Sequence, residues 1–278
     1  MKHPYLIGTV GLVVASLSPA GAQRTLYDET FRFASRVVAT NGLTGFYNDP
    51  TAALGRPTRW VMDAINGGPN GRIAPCLTYG AWNVDPTGTK TVVAIPVGGS
   101  VTVGFARPVF DDPANPWGLD FIVYGNGFIA GNATTTWASD MNALRIQSAG
   151  DWFEPMAVSV SPDGLNWYRY PVIGSRGADG LWPTQAFRWD RIRRAWGAES
   201  NWNWPVNPAL KRTDVSGLFA ADAFDRLGGS GGGTAYDLRE SGFRWIQYVR
   251  FEGGGGEVDA VARVIAGPTR PVRTALMP

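Results

Sequence analysis

The sequence predicts an all-β protein, built as a β-sandwich with little helix. Three observations support this class. The 278-residue chain contains 36 glycines and 20 prolines, which favour tight turns between short strands. Only 17% of the residues are charged, below the roughly 25% of an average globular domain. Several short segments alternate apolar and polar side chains, which is typical of half-buried strands.

The first 22 residues have the three regions of a secretory signal peptide. A basic start precedes an apolar stretch, and small residues follow directly before Gln23. The apolar stretch is too short to span a bilayer, and no later stretch approaches the ~20 apolar residues that a membrane helix needs. We therefore expect an exported chain that begins at Gln23, is secreted or held at the cell surface, and has no membrane span.

Export would also remove His3, the only histidine of the chain. Ser-His-Asp and Cys-His catalysis and imidazole-based metal sites are then excluded. Cys76 is the only cysteine, which excludes an intramolecular disulfide and a thiolate metal cluster. We expect Cys76 to be a small buried residue.

The strand predictions follow the alternation of apolar residues and the turn residues between them. In chain order they are a hairpin-like pair at 90–97 and 101–109, a central strand at 119–126, a hairpin at 156–170 that turns at Pro162-Asp163-Gly164, and strands at 244–253 and 257–266. In the strand at 244–253, alternate residues from Trp245 to Phe251 are expected to share one face.

The remaining segments predict less regular structure. Residues 216–229 predict one short helix with Ser216 as its cap. Residues 174–211 are irregular and rich in Trp and Arg, which predicts a long insertion on the sandwich. The run GGSGGG at 228–233 is expected to be a flexible loop. We therefore expect one domain over residues 23–267, followed by a frayed tail at 268–278.

The charge pattern gives little support to a nucleic-acid partner, because the formal net charge is only +2. One local basic cluster lies within the insertion. It can bind an anionic polymer, or it can be a solvated face paired with Asp190 and Glu199. The cluster consists of Arg188, Arg191, Arg193 and Arg194.

Six pieces of the chain resemble, in order and spacing, a family of exported bacterial surface proteins. They are DPTAALGRPT (49–58), GGSVTVGFARPV (98–109), GLDFIVYGNGF (118–128), EPMAVSVSPDGLNW (154–167), GGGTAYDL (231–238) and WIQYVRFEGGGGEVDAVARV (245–264). The resemblance implies a jelly-roll, galactose-binding-like sandwich of the discoidin or carbohydrate-binding-module type, often found with a PEP-CTERM-type anchor. Thr234 departs from the pattern, which has an acidic residue there. No sorting anchor is recognised, which leaves the mode of surface attachment open.

The resemblance also implies a structural calcium where the first and last strands of such jelly rolls meet. Calcium takes six to eight oxygen ligands, among them carboxylates. Asp120, Glu154 and Asp259 begin or interrupt apolar strands, where a charge must be solvated, paired with arginine or bound to a cation. We predict these three as metal ligands, with pairing to arginine as the alternative. A glycosidase would need Glu154 and Asp259 to face one cleft.

Tryptophan is concentrated in the insertion, with five of the 12 tryptophans between residues 182 and 204. Indole rings stack on the apolar faces of sugars, and neighbouring amides can bond the sugar hydroxyls. The same rings can instead fill a core, because each buries 150–250 Å². Trp182 and Trp189 are expected to anchor the insertion. The predicted ligand-binding residues are Trp196, Asn201, Trp202, Asn203 and Trp204.

These observations together predict an exported, non-catalytic protein that binds an extracellular polysaccharide or another surface polymer. Two alternatives remain open. In the first, the chain is a structural subunit of a surface layer, matrix or filament, and it self-associates or binds a surface protein. In the second, it is a polysaccharide-active enzyme.

Overall fold

A computed structural model describes residues 29–63, 71–82 and 84–266. The predicted signal peptide, its cleavage site before Gln23 and the predicted tail lie outside these residues. The strands are β1 Ala34–Asn41, β2 Val61–Met62, β3 Arg72–Ile73, β4 Val93–Ala94, β5 Ser100–Phe110, β6 Phe121–Tyr124, β7 Ala157–Ser161, β8 Tyr168–Arg169, β9 Phe187–Asp190, β10 Ala195–Glu199, β11 Thr234–Tyr236, β12 Trp245–Glu252, β13 Glu257–Val258 and β14 Ala260–Arg263. The helix α1 is Ala220–Arg226, and 3-10 turns lie at Pro50–Ala53, Pro116–Gly118, Arg212–Asp214 and Leu238–Ser241.

The strands form antiparallel sheets, which confirms the all-β class. The largest sheet has five strands in the order β1-β5-β12-β7-β8, and the next has three in the order β11-β6-β14. The pairs β13-β4, β2-β3 and β10-β9 form two-stranded ribbons. The jelly-roll connection pattern stays a prediction.

The main hydrophobic core lies between the two larger sheets. Val103 and Phe105 of β5 and Phe251 of β12 belong to the same buried cluster as Phe121 of β6 and Tyr236 of β11. The rings of Phe121 and Tyr236 stack with 4.9 Å between their centroids. Alternate residues of each strand therefore supply the core, as the period of two requires.

The three-stranded sheet is buried on both faces. On the face opposite the main core, Ile122 and Tyr124 of β6 and Ala262 of β14 pack with Trp202 and Ala186 of the predicted insertion. This double burial explains why β6 and residues 260–262 of β14 are continuously apolar, since neither face meets water. The predicted central position of the strand at 119–126 is confirmed.

The strand at 244–253 forms as β12, and its predicted face is correct for Val249 and Phe251 but wrong for Trp245 and Gln247. The register between β12 and β5 shifts between Ile246 and Tyr248, where Gln247 of β12 stands opposite residues 105–108 of β5. The ladder is interrupted there, and the buried positions of β12 change from even to odd across the irregularity. Ile246 is therefore buried together with Val249 and Phe251, while Trp245 stays 36% exposed.

One predicted hairpin is confirmed and the other is wrong. β7 and β8 pair across the turn at Asp163, whose carboxylate accepts bonds from the backbone N–H groups of Leu165 and Asn166. The stretch at 90–97 contributes only β4, which pairs with β13 rather than with β5. β5 is instead occupied on both edges by β1 and β12.

The predicted insertion is more regular than expected. Its centre forms the ribbon β9-β10, and Trp182 and Trp189 pack against a second buried cluster as predicted. The helix α1 also contributes to this cluster and begins after Phe219, so Ser216 is not its cap. Within the described residues, no helix has the length and apolar character to cross a bilayer.

The run GGSGGG is packed rather than flexible. Gly231, Gly232 and Gly233 are buried. A Cβ atom on Gly231 would lie 2.4 Å from Cε3 of Trp202, and one on Gly232 would lie 1.9 Å from the carbonyl oxygen of Pro183. These glycines are therefore needed because the loop passes directly against the insertion, which the composition alone does not reveal.

Candidate functional site

Three carboxylates from distant parts of the chain meet beside the three-stranded sheet. Glu154 precedes β7, Asp179 follows β8 in the loop of the insertion, and Glu257 begins β13. One carboxylate oxygen from each lies within 4.8 Å of the others. We call Glu154, Asp179 and Glu257 the tricarboxylate cluster.

Asp179 is the most constrained member of the cluster. It is 1% exposed, and its backbone has a φ of 58°, a left-handed conformation that costs energy for any residue other than glycine. Its Oδ1 accepts a 2.7 Å bond from the backbone N–H of Gly127. Three glycines make room for the carboxylate. A Cβ atom on Gly125, Gly127 or Gly256 would lie 2.5, 3.3 or 3.3 Å from one of its oxygens.

The cluster has buried oxygens that no protein group satisfies. Oδ2 of Asp179, Oε2 of Glu257 and Oδ1 of the neighbouring Asn126 are buried and have no hydrogen-bond partner. Burial, followed by repulsion from Asp179 and Glu154, raises the pKa of Glu257 to about 8. Burial is also the largest cause that raises the pKa of Asp179 to about 6. Burial therefore disfavours the ionised forms of Glu257 and Asp179 relative to water.

A second acidic group contains Asp120 but has a different character. Asp111, Asp120 and Asp237 also lie within 4.8 Å of one another. Both oxygens of Asp120 are used by protein donors. Oδ1 accepts 3.0 Å bonds from the Asp112 N–H and the Asn115 amide, and Oδ2 accepts a 2.8 Å bond from the Leu238 N–H. Asp120 thus holds two turns together.

Asp259 is likewise bound by protein groups. Its carboxylate accepts bonds of 2.7 to 3.1 Å from the backbone N–H and the hydroxyl of Thr58. Burial raises the pKa of Asp259 to about 7. The predicted metal trio is therefore corrected. Asp120, Glu154 and Asp259 belong to three separate hydrogen-bond environments, and only Glu154 lies in a group with unsatisfied oxygens.

Replacing Asp120 by alanine is expected to destabilise the fold by about 2–4 kcal/mol. The change leaves the N–H groups of Leu238 and Asp112 without acceptors, and each lost partner of a buried donor costs roughly 1–3 kcal/mol. Urea unfolding at pH 7 measures the difference. Asp111→Ala in the same acidic group is the control, with an expected change within about 0.5 kcal/mol. Equal stability of both variants would contradict the structural role of Asp120.

The predicted tryptophan platform is wrong for its central residues. Trp202 is 5% exposed and Asn203 is 3% exposed. The Trp202 ring packs edge-on against Tyr124 at 5.6 Å, and the Asn203 amide donates a 2.8 Å bond to the carbonyl of Arg263. The reason is the second apolar face of the three-stranded sheet, which needs a cover. Asn201, Trp202 and Asn203 do line one small cleft of about 190 Å³.

The other two tryptophans of the predicted platform are half-buried and point to different neighbours. Trp196 packs edge-on against Trp189, with 5.2 Å between ring centroids, and stacks on Phe224 of α1. Trp204 meets Trp117 edge-on at 6.2 Å. The structure therefore does not bring the predicted aromatic residues together on one surface.

The basic cluster of the insertion is largely paired with carboxylates. Arg191 bonds Asp222 at 2.6 Å and Asp225 at 2.7 Å. Arg193 lies 3.6 Å from Asp190, which agrees with the predicted solvated face. Glu199 does not join this face, because it pairs with Arg56 at 3.1 Å.

A cleft outside the predicted sites combines aromatic rings with hydroxyls. It has a volume of about 310 Å³, and we call it the aromatic cleft. The rings of Tyr79 and Trp82 are 6.1 Å apart and 28° from parallel. Thr135 also lines the cleft, and its buried Oγ1 has no hydrogen-bond partner. The remaining lining residues are Thr78, Gly80, Phe128, Ala130, Gly131, Ala133 and Thr134.

A larger polar cleft of about 710 Å³ lies near Asp259. Two of the cations that line it already have neighbours. Arg56 pairs with Glu29 and Glu199. The ammonium of Lys90 lies 4.2 Å from the ring centre of Phe46. A ligand in this cleft would have to compete with these contacts, which the aromatic cleft does not require.

Two local signals could have directed attention to these sites. The stretch TYGAW places Tyr79 and Trp82 around a glycine, and the stretch GADG places Asp179 between small residues. Glycine beside an aromatic or acidic residue often indicates a close approach of backbone. Such stretches are short and common, so the folded structure is needed to relate them to one another.

Comparison with known proteins found neither a matching family model nor a matching curated protein. The resemblance to exported surface proteins therefore stays a prediction. The function has to be argued from the geometry of the two sites.

Proposed function

We propose that the chain is an exported, non-catalytic binding protein that recognises an extracellular carbohydrate through the aromatic cleft. The observation that carries the proposal is the combination of stacked rings and an unsatisfied hydroxyl in one cleft. Trp82 offers a half-buried ring face, Tyr79 supports it from behind at only 5% exposure, and Thr135 offers a buried polar atom that lacks a partner. Ligand sites in general combine an aromatic lining with a few polar groups.

The chemistry of the lining matches a sugar ring better than a charged ligand. A pyranose has apolar C–H faces that stack on aromatic rings and hydroxyls that can bond to threonine. The cleft contains threonines at 78, 134 and 135, and its described lining has no ionisable group other than the Tyr79 phenol. Its volume of about 310 Å³ lies at the lower end of the range for ligand sites.

Affinity electrophoresis in gels that contain different polysaccharides tests the proposal. We expect at least one neutral polysaccharide to retard the parent protein. Trp82→Ala should weaken that binding about tenfold or more, as expected for a central aromatic contact. Trp245→Ala, which changes a 36% exposed tryptophan of β12, is the control and should migrate like the parent.

Other outcomes would contradict this assignment. Retardation that survives Trp82→Ala but is lost in Trp204→Ala would move the binding surface to the insertion. Unaltered migration in every gel, together with self-association at low concentration, would favour a structural subunit of a surface layer. Release of reducing ends from the polysaccharide would favour an enzyme.

A further inference from the structure

We propose that the tricarboxylate cluster is a binding site for one divalent cation of the calcium type. The site differs from the predicted one, because it uses Asp179 and Glu257 and does not use Asp120 or Asp259. It stands on the geometry of the cluster and does not depend on carbohydrate binding.

The first argument is the unsatisfied buried oxygen of Asp179. This residue is 1% exposed, yet its Oδ2 has no hydrogen-bond partner. A buried carboxylate oxygen without a partner costs several kcal/mol unless a proton or a cation compensates it. Oε2 of Glu257 is also buried without a hydrogen-bond partner. Two neighbouring carboxylates therefore need compensation by a proton or a cation.

Among the described residues, the cluster forms no ion pair with an arginine or lysine. Among the ion pairs that the described residues form, none involves Glu154, Asp179 or Glu257. Asp120, by contrast, has every oxygen bonded to protein donors. The fold therefore satisfies Asp120 internally and leaves Oδ2 of Asp179 and Oε2 of Glu257 open for a ligand.

The backbone that surrounds the cluster also supports a ligand site. Asp179 is held in a left-handed conformation, and Gly125, Gly127 and Gly256 leave the space that its carboxylate occupies. Strained residues persist where the surroundings fix them, and they concentrate at ligand sites. Only glycine would avoid this backbone cost, and glycine at position 179 would remove the carboxylate that the local structure presents.

The ligand set selects the class of ion. All candidate ligands are oxygens, and the three carboxylates have the Asn126 amide as a neighbour. Oxygen-only sites with several carboxylates suit calcium, while zinc and copper favour imidazole or thiolate. A divalent charge would also offset the mutual repulsion of the three carboxylates, whose oxygens lie within 4.8 Å of one another.

The cation would also fix one wall of the aromatic cleft, a consequence that rests on the proposed function. Phe128 of that cleft is two residues after Asn126 and forms a two-bond bridge with Trp152, at 2.8 and 2.9 Å. Trp152 is in turn two residues before Glu154. The segment that contains Phe128 and the segment that contains its partner Trp152 therefore both continue to residues at the cluster, Asn126 and Glu154.

Calorimetry on the full chain tests the cation site without any sugar. After removal of divalent ions with EGTA, titration with CaCl₂ should show one ion bound per chain. With 1 mM CaCl₂ the Tm should rise by about 5–10 °C over the Tm in EGTA, as expected when the ligand is near 100 times its Kd. Magnesium at the same concentration should give a smaller rise, because it binds such cages reluctantly.

Glu257→Gln gives the sharpest variant. In EGTA its Tm should equal or exceed that of the parent, because the change removes a repelled, half-buried carboxylate. In CaCl₂ it should melt below the parent, because its affinity for calcium should fall at least tenfold. Asp179→Asn, which keeps a side chain that tolerates left-handed backbone, should also abolish the calcium shift.

Asp111→Asn in the second acidic group is the matched control and should keep the full shift. Equal Tm values of the parent in EGTA and CaCl₂ would overturn the proposal. The buried carboxylate oxygens would then be compensated by a proton that they share. A calcium shift that survives both Glu257→Gln and Asp179→Asn would overturn it as well. Calcium binding without polysaccharide retardation would uphold the cation site and reject the proposed function.

Discussion

Replacing Trp202 by alanine is expected to lower the free energy of unfolding by about 3–5 kcal/mol, the usual cost of deleting a large buried aromatic side chain. The indole is 5% exposed and covers Ile122 and Tyr124 on the outer face of the three-stranded sheet. Its Nε1–H donates to the carboxylate of Glu199, so the change also removes this bond and leaves Glu199 with its ion pair to Arg56. Urea unfolding followed by circular dichroism measures the loss.

Trp117→Ala provides the comparison, because Trp117 is 48% exposed and contacts another half-buried ring. Its replacement should cost no more than about 1 kcal/mol. If Trp202→Ala were as stable as Trp117→Ala, the indole would lie outside the core. The segment from Trp196 to Trp204 would then return as a candidate ligand surface.

Replacing Gly80 by alanine is expected to cost about 3 kcal/mol, at the upper end of the range for overpacking. A Cβ atom there would lie 1.7 Å from the carbonyl oxygen of Asn126. The obstacle is backbone, which cannot rotate away as a side chain can. The same variant should weaken polysaccharide retardation, because Gly80 lines the aromatic cleft. Urea unfolding and affinity electrophoresis of one preparation measure both effects.

Gly254→Ala separates this clash from a general effect of removing glycine. The nearest atom to its added Cβ would be the Cγ of Met156 at 3.6 Å, an ordinary van der Waals contact. We expect a change within about 0.5 kcal/mol. Comparable losses in Gly80→Ala and Gly254→Ala would show that the segment around Asn126 can move away from position 80.

Local patterns predicted most of the strands because alternation survives wherever one face is buried. β7, β8 and β12 lie where the sequence places them. The pairing of β4 with β13 was missed, since it joins residues more than 150 positions apart and no turn connects the two strands directly. The register shift opposite Gln247 was also missed, because it arises from four residues of β5, 105–108, and not from the residues of β12.

The candidate site was predictable only in fragments. Glu154 was recognised because it precedes an apolar strand, but Asp179 stands in a loop without periodicity. Its importance depends on Glu257 and on glycines that only the folded chain brings near. The density of tryptophan between 182 and 204 suggested an exposed ligand-binding surface. The outer face of the three-stranded sheet instead required a cover, and tryptophan supplies it.

The double burial of the three-stranded sheet also affects how the chain is made. β6 pairs with β11 and β14, whose residues are synthesised more than 100 positions later. Until β14 has left the ribosome, the apolar strand Phe121–Tyr124 lacks one of its hydrogen-bonding neighbours. Such long closures slow folding and prolong the exposure of apolar surface. A product that stops short of residue 260 would therefore be a target for chaperones and proteases rather than a smaller working protein.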